Sequence, residues 1–184
     1  MKSLNDDVIE VVKREFEPIC GKPCWLVQRG YAATFNINFG KPHLEVHEYK
    51  RRSATLKQTI KLRRIINVRG DLNIWFHYCY WHIFKGEILL AHSESTDKKI
   101  DKALSDLDGQ ILVSLSVDTN QGTSEFYFEY GNIIKTFPYE DDDDDKDDNG
   151  DDDVEANWVL FTENKAFSYL CNGGYKYETR EKKF

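Results

Sequence analysis

Four groups of side chains have the types and spacing for chemistry. His43, Glu45 and His47 alternate with Leu44 and Val46. In a strand they project from one face and supply the ligand types of a two-histidine, one-carboxylate iron site. At ~3.3 Å per residue, positions 43 and 47 are roughly 13 Å apart, so no single ion reaches both histidines. His77, Cys79 and His82 form the second group, with His77 and Cys79 on one face of a strand and His82 on the other. A zinc ion there needs two further ligands, and Cys20 and Cys24 are the candidates. Their C-x3-C spacing encloses Pro23 and is one residue longer than a C-x-x-C motif. The plainer readings are a solvent-facing polar strand for the first group and core residues for the second. The expectation is no metal and no cofactor.

The third group is an acidic segment, Glu140 to Glu155, EDDDDDKDDNGDDDVE, with 12 carboxylates and one lysine. From Asp145 its first positions follow an EF-hand loop with Gly150 at the turn, but the twelfth position is Ala156 and no helix pattern flanks it. A disordered, solvated loop between two strands is expected. The fourth group is basic: Lys50 to Arg64 holds seven cations and no acid. Alternation in this region puts Lys57, Lys61, Arg63 and Arg69 on one strand face, a candidate nucleic-acid surface. The alternative is a set of charges guarding a sheet edge. No G-x-S-x-G, Walker loop, G-x-G-x-x-G or H-E-x-x-H occurs. That leaves only a dispersed set of isolated Asp, Glu and His for an enzyme of unknown type, and no catalytic residue is assigned.

These residues need elements to position them. Leu4 to Phe16 has apolar residues at helical spacing, stopped by Pro18 and Gly21. Residues 97–107, DKKIDKALSDL, repeat the pattern with Ile100, Ala103, Leu104 and Leu107 as the apolar stripe and Asp108-Gly109 as the stop. The rest alternates with period two. Strands are predicted over 24–29, 33–39, 43–49, 54–69, 72–84, 88–91, 110–117, 123–130, 133–139, 158–161, 166–171 and 175–179. Gly40-Lys41-Pro42 and Gly70-Asp71 read as turns. Leu72 to Phe84 is apolar or aromatic at both parities, which predicts a central strand covered on both faces. The fold class is therefore α+β and β-rich, with mostly antiparallel sheets of about ten short strands and two short helices.

The formal charge is −7, from 25 basic and 32 acidic residues. Without residues 140–155 the remainder has 24 basic and 20 acidic residues, or +4. A mildly basic body therefore carries an acidic insert. With 40% apolar residues, including 11 Phe, 10 Tyr and 4 Trp, the body can bury a core. The length suits one domain over 1–184 with the loop at 140–155 inserted in it. The amino terminus, MKSLNDDVIEVVKREF, lacks the apolar stretch of a secretory signal, and no apolar run approaches the ~20 residues of a membrane helix. Four scattered cysteines make no disulfide framework. A cytoplasmic protein without membrane partner is expected.

The segments VRGDLNIWFHYCYWHI, AHSESTDKKIDKALSDLDGQILVSLSVD, TSEFYFEYGNIIKTFPY and NWVLFTENKAFSYLCNGGYKY, together with the upstream FGKPHLEV, resemble a group of small bacterial proteins known mainly as uncharacterised open reading frames. The poly-Asp insert departs from that pattern. The group has no assigned activity, so the resemblance carries no catalytic residue over. It implies, by analogy, an immunity protein that neutralises a toxin-like protein. A non-catalytic, immunity-like protein-binding module is thus the leading expectation. Nucleic-acid binding through the basic strand face is the second, and an enzyme without a recognisable motif is the third.

Overall fold

A computed structural model describes residues 4–47, 64–139 and 154–179. The chain order is α1 (Leu4–Phe16), β1 (Cys24–Arg29), β2 (Phe35–His47), β3 (Ile65–Phe76), β4 (Cys79–Lys85), β5 (Ile88–His92), α2 (Asp97–Leu107), β6 (Leu112–Asp118), β7 (Thr123–Phe128), β8 (Asn132–Pro138), β9 (Ala156–Phe161), β10 (Lys165–Leu170) and β11 (Tyr175–Thr179). The strands make two sheets, ordered β1-β2-β3-β9-β10-β11 and β5-β4-β8-β7-β6. Among the described residues every strand pairing is antiparallel. The β-rich expectation holds.

The described helices and both described sheets contribute to one core. Alternation along β2 turns Phe35, Ile37 and Phe39 inward, and alternation along β4 does the same for Cys79, Trp81 and Ile83. Trp158 sits centrally, edge-on to Phe16 at 5.1 Å and stacked on Tyr169 at 5.2 Å between ring centroids. Its indole N–H donates to Ser124 Oγ at 2.8 Å, so the ring is buried with its one polar group satisfied. A second cluster stacks Phe35 on Phe76 at 4.3 Å, with Trp81 edge-on to Phe35 at 5.1 Å.

The helices close the sides of this core. In α2 the predicted stripe Ile100, Ala103, Leu104 and Leu107 is buried against β1 and β5, the edge strand of each sheet. Gly109, at φ +89°, provides the left-handed residue that ends it. In α1, Val8, Val12 and Phe16 face the core. Glu15 then ties the helix to the far edge of the six-stranded sheet, accepting from Lys165 of β10 and Tyr177 of β11.

Three sequence expectations are corrected. The strands predicted over 33–39 and 43–49 are one strand, β2, and Gly40-Lys41-Pro42 is a bulge within it, where the register against β3 slips between Phe39 and Pro42. Gly40 takes φ +77° there, which a side chain resists. Gly70-Asp71 is likewise no turn: β3 runs straight through it. A Cβ on Gly70 would lie 2.3 Å from the Phe39 carbonyl oxygen, so the glycine permits close approach of two backbones. Finally, the apolar run 72–84 is two strands. It breaks at His77-Tyr78, where the chain leaves one sheet for the other. It reads as continuous because an inward-facing strand end is followed directly by an inward-facing strand start. β4 has one covered face, with Cys79, Trp81 and Ile83 buried and Tyr80 exposed.

Candidate interaction surface

β2 and β3 are longer than their neighbours. β1 pairs with β2 only over Phe35–Phe39, and β9 pairs with β3 only over Asn73–Phe76. Beyond these limits β2 and β3 have no further partner strand among the described residues, pairing with each other from Pro42↔Gly70 to His47↔Ile65. The result is a two-stranded ribbon that runs past the ends of the flanking strands.

One face of the ribbon is apolar and open. Leu44 stands opposite Val68 and Val46 opposite Ile66, and directly opposed residues share a face. Their exposures are 66%, 45%, 46% and 56%. Along β3 the even positions 74 and 76 are core residues, so Val68 and Ile66 extend the core-facing side of the sheet beyond the reach of the opposite sheet. Four aliphatic side chains clustered in solvent are unlike the scattered singletons of an ordinary surface.

The other face is polar. Arg69 Nε lies 2.5 Å from Glu45 Oε2, and its Nη1 reaches Asn73 Oδ1 at 3.5 Å. His43 Nδ1 is 4.0 Å from Asp71 Oδ1. Of the four predicted basic-face residues, Arg69 is therefore on the ribbon and engaged with Glu45. Lys57, Lys61 and Arg63 lie outside the described residues, in the segment that joins β2 to β3. Of the His43, Glu45 and His47 group, His43 and Glu45 are on the polar face, where Glu45 serves Arg69 and His43 lies near Asp71, and the His47 side chain lies outside what the structure describes.

The base of the ribbon is held by asparagines. The bulge deprives the Gly70 N–H of a ladder partner, and Asn38 Oδ1 accepts it at 3.0 Å. The same oxygen accepts from Asn73 Nδ2 at 3.0 Å, while Asn38 Nδ2 donates to the Leu26 carbonyl at 3.1 Å. Leu26 is itself at φ +50° in a bulge of β1. Asn38 and Asn73 are almost wholly buried, so this network fixes the angle at which the ribbon departs.

The cysteines and histidines weighed as metal ligands have these surroundings. Cys24 is buried, its thiol donating to the Leu107 carbonyl at 3.0 Å, and burial pushes its pKa up to about 12. Burial, with Cys171 nearby, raises the Cys79 thiol as well. His77 packs on Trp75 at 3.9 Å, and burial lowers its pKa. His82 is lowered by burial and then by neighbouring His92, 5.9 Å away across β4 and β5. Among the described residues no set of three or more His, Cys, Asp or Glu is arranged to share a metal ion. Of the EF-hand-like stretch, residues 145–153 lie outside the described residues, and its twelfth position, Ala156, is the first residue of β9.

Elsewhere among the described residues there is an open groove of about 500 Å³ between β1 and α2. Arg29 lines it and is bound to Asp101 at 2.9 Å and Asp97 at 3.1 Å, which makes it a clasp for the helix. No described helix is long and apolar enough to cross a membrane.

The sequence predicts a strand over 54–69, and the exposure of Ile66 and Val68 on it is seen only in the structure. The available signal was Gly-Lys-Pro between apolar runs of opposite parity, Phe35, Ile37 and Phe39 before it and Leu44 and Val46 after it, which reads equally as turn or bulge. Compared with known proteins, the chain matches no family model, no curated protein and no solved structure.

Proposed function

We propose that the protein is a non-catalytic binding module that holds another protein against the apolar face of the β2–β3 ribbon. The observation that carries this reading is the uncovered extension of the core face, Leu44, Val46, Ile66 and Val68. Leaving such side chains in water forgoes roughly 25 cal/mol for each Å² that a partner would cover. The ribbon's asparagine base presents the face in a fixed direction, so little ordering is needed on binding. The seven cations between Lys50 and Arg64 join the two ribbon strands and would steer a negatively charged partner toward them. Neutralisation of a toxin-like protein, the role implied by the bacterial resemblance, is the form this binding takes in our reading.

The test is affinity capture from cells that express the protein, with wild type beside the double variant Leu44→Glu, Val68→Glu. A partner protein retained by wild type and lost with the variant supports the reading. Equal retention by both sinks it.

Nucleic-acid binding through Lys57, Lys61, Arg63 and Arg69 is the second reading, favoured by the ribbon shape, because the DNA major groove admits a two-stranded ribbon. It predicts binding that weakens steeply with salt and that survives the apolar double variant.

A further inference from the structure

We infer that Cys79 and Cys171 form a reversible disulfide when the protein meets a peroxide, and that this bond fastens the β10–β11 turn to the corner where the chain passes between the two sheets.

Four segments converge at that corner. His77-Tyr78 leads from β3 into β4, and Cys79 is the first residue of β4. Pro138, the last residue of β8, stands directly opposite Cys79. A Cβ on Gly122, between β6 and β7, would run into the Cys171 carbonyl oxygen and crowd the Pro138 ring. Cys171 opens the turn after β10, and its N–H donates to the Glu155 carbonyl at 2.9 Å. Asn157 of β9, fully buried, joins these segments. Its backbone carbonyl accepts the His77 N–H at 3.2 Å, its side-chain amide donates to the Gly122 carbonyl, and its Oδ1 accepts the Cys171 thiol at 3.1 Å.

The same sulfur lies 3.6 Å from the Tyr78 carbonyl oxygen. That oxygen belongs to the peptide unit leading into Cys79, which puts Cys171 Sγ within about 6–7 Å of the Cys79 Cα. Disulfide-bonded residues have Cα atoms usually about 4.4–6.8 Å apart. Rotation of the Cys171 side chain off its two oxygens, with a small shift of the turn 171–174, closes the gap. Cys24, by contrast, has its thiol turned onto the Leu107 carbonyl of α2 at 3.0 Å.

The two thiols divide the chemistry by burial. Cys171 is half-buried and meets the oxidant, whereas Cys79 is fully buried and stays protonated, its pKa raised by burial and by Cys171 nearby. The Cys171 thiolate attacks one peroxide oxygen. An S–O bond forms, the O–O bond breaks, and the departing hydroxide takes up the thiol proton as water. The Cys79 sulfur then attacks the sulfenic sulfur. The S–S bond forms as the S–O bond breaks, and the Cys79 proton leaves with that oxygen as water. Two thiols lose two electrons in all, and one peroxide becomes two waters.

The experiment treats the folded full chain with hydrogen peroxide, alkylates it in denaturant and maps its peptides by mass spectrometry, with and without dithiothreitol. The expected result is a Cys79–Cys171 linked peptide in most wild-type chains, lost on reduction. The closed form should melt about 5 °C or more higher, because the bond closes a long loop. Cys171→Ser should give no linked peptide and keep Cys79 as a thiol. Cys79→Ala should halt at a Cys171 sulfenic acid that dimedone traps. If that variant does not fold, Cys171→Ser carries the comparison, because its side chain is only half-buried. Oxidation of the unfolded chain should scramble the link among the four cysteines. A native link that involves Cys20 or Cys24 overturns the inference. So does Cys171 oxidised past sulfenic acid beside an intact Cys79 thiol, or both thiols unchanged at a peroxide dose that oxidises the unfolded chain.

Discussion

Asn38 and Asn73 face one another across β2 and β3, and a single oxygen, Asn38 Oδ1, accepts both the Asn73 amide and the Gly70 backbone N–H at 3.0 Å. This places the polar support of the ribbon at the point where two bulged strands would otherwise leave backbone groups unpaired. The ribbon is therefore a rigid extension of the sheet, and its open apolar face has a defined direction.

Replacing Asn38 by alanine leaves the Gly70 N–H and the Leu26 carbonyl without their side-chain partner in a buried setting. Each orphaned group costs about 1–3 kcal/mol. Denaturant unfolding should show a loss of about 2–4 kcal/mol for Asn38→Ala. Gly70→Ala should be destabilising too, because its Cβ meets backbone atoms that cannot move aside. If either variant is as stable as wild type, the asparagine base is misassigned.

Glu15 gives a pH dependence. Burial raises its pKa, but hydrogen bonds from Lys165 and Tyr177, and the Lys165 charge, outweigh burial and hold the carboxyl below its ordinary value. A carboxyl depressed in the folded state contributes stability above its unfolded pKa and loses it as pH falls through the folded pKa. Glu15→Gln should cost about 1–2 kcal/mol at neutral pH. The gap to wild type should close as the pH drops below about 4. Melting curves of the two proteins across this range are the check; a gap that persists unchanged in acid would show that the carboxylate charge plays no part.

The cysteines should sort by burial. Cys24 and Cys79 are fully buried with raised pKa values, whereas Cys20 and Cys171 are half-buried. Alkylation of the native protein, read by mass spectrometry, should modify Cys20 and Cys171 first and reach Cys24 and Cys79 only on unfolding. Early modification of Cys79 would mean that the corner between the two sheets opens readily.

Much of the fold was legible because local pattern and tertiary role agree. The helix over 97–107 shows its buried stripe at helical spacing, and its Gly109 stop is real. The meander of β6, β7 and β8 shows alternation with short turns. Two of the three misreadings, at Gly40 and Gly70, share one cause. Glycine marks a turn, a bulge and a close backbone contact alike, and only the partner strand decides among them. At Gly40 the decision comes from Asp71 and β3, and at Gly70 from the Phe39 carbonyl across the ladder. The candidate site was legible in part for the same reason. The residue types at 66 and 68 are visible in the chain, whereas their exposure depends on where β9 and the opposite sheet end.

The ribbon face should be dispensable for folding. Leu44 and Val68 are 66% and 45% exposed, so the double variant Leu44→Glu, Val68→Glu should unfold within about 0.5–1 kcal/mol of wild type. A larger loss would show that these side chains support the fold.

The most direct test of the ribbon as a protein-binding arm is photo-crosslinking in cells from a benzophenone side chain placed at Val46 or Val68, with a third site at Tyr130 as control. Tyr130 is 67% exposed and lies between β7 and β8, away from the ribbon. The account predicts a discrete protein adduct from both ribbon positions and none from Tyr130. Nuclease-sensitive adducts, or the same adducts from all three positions, would contradict it.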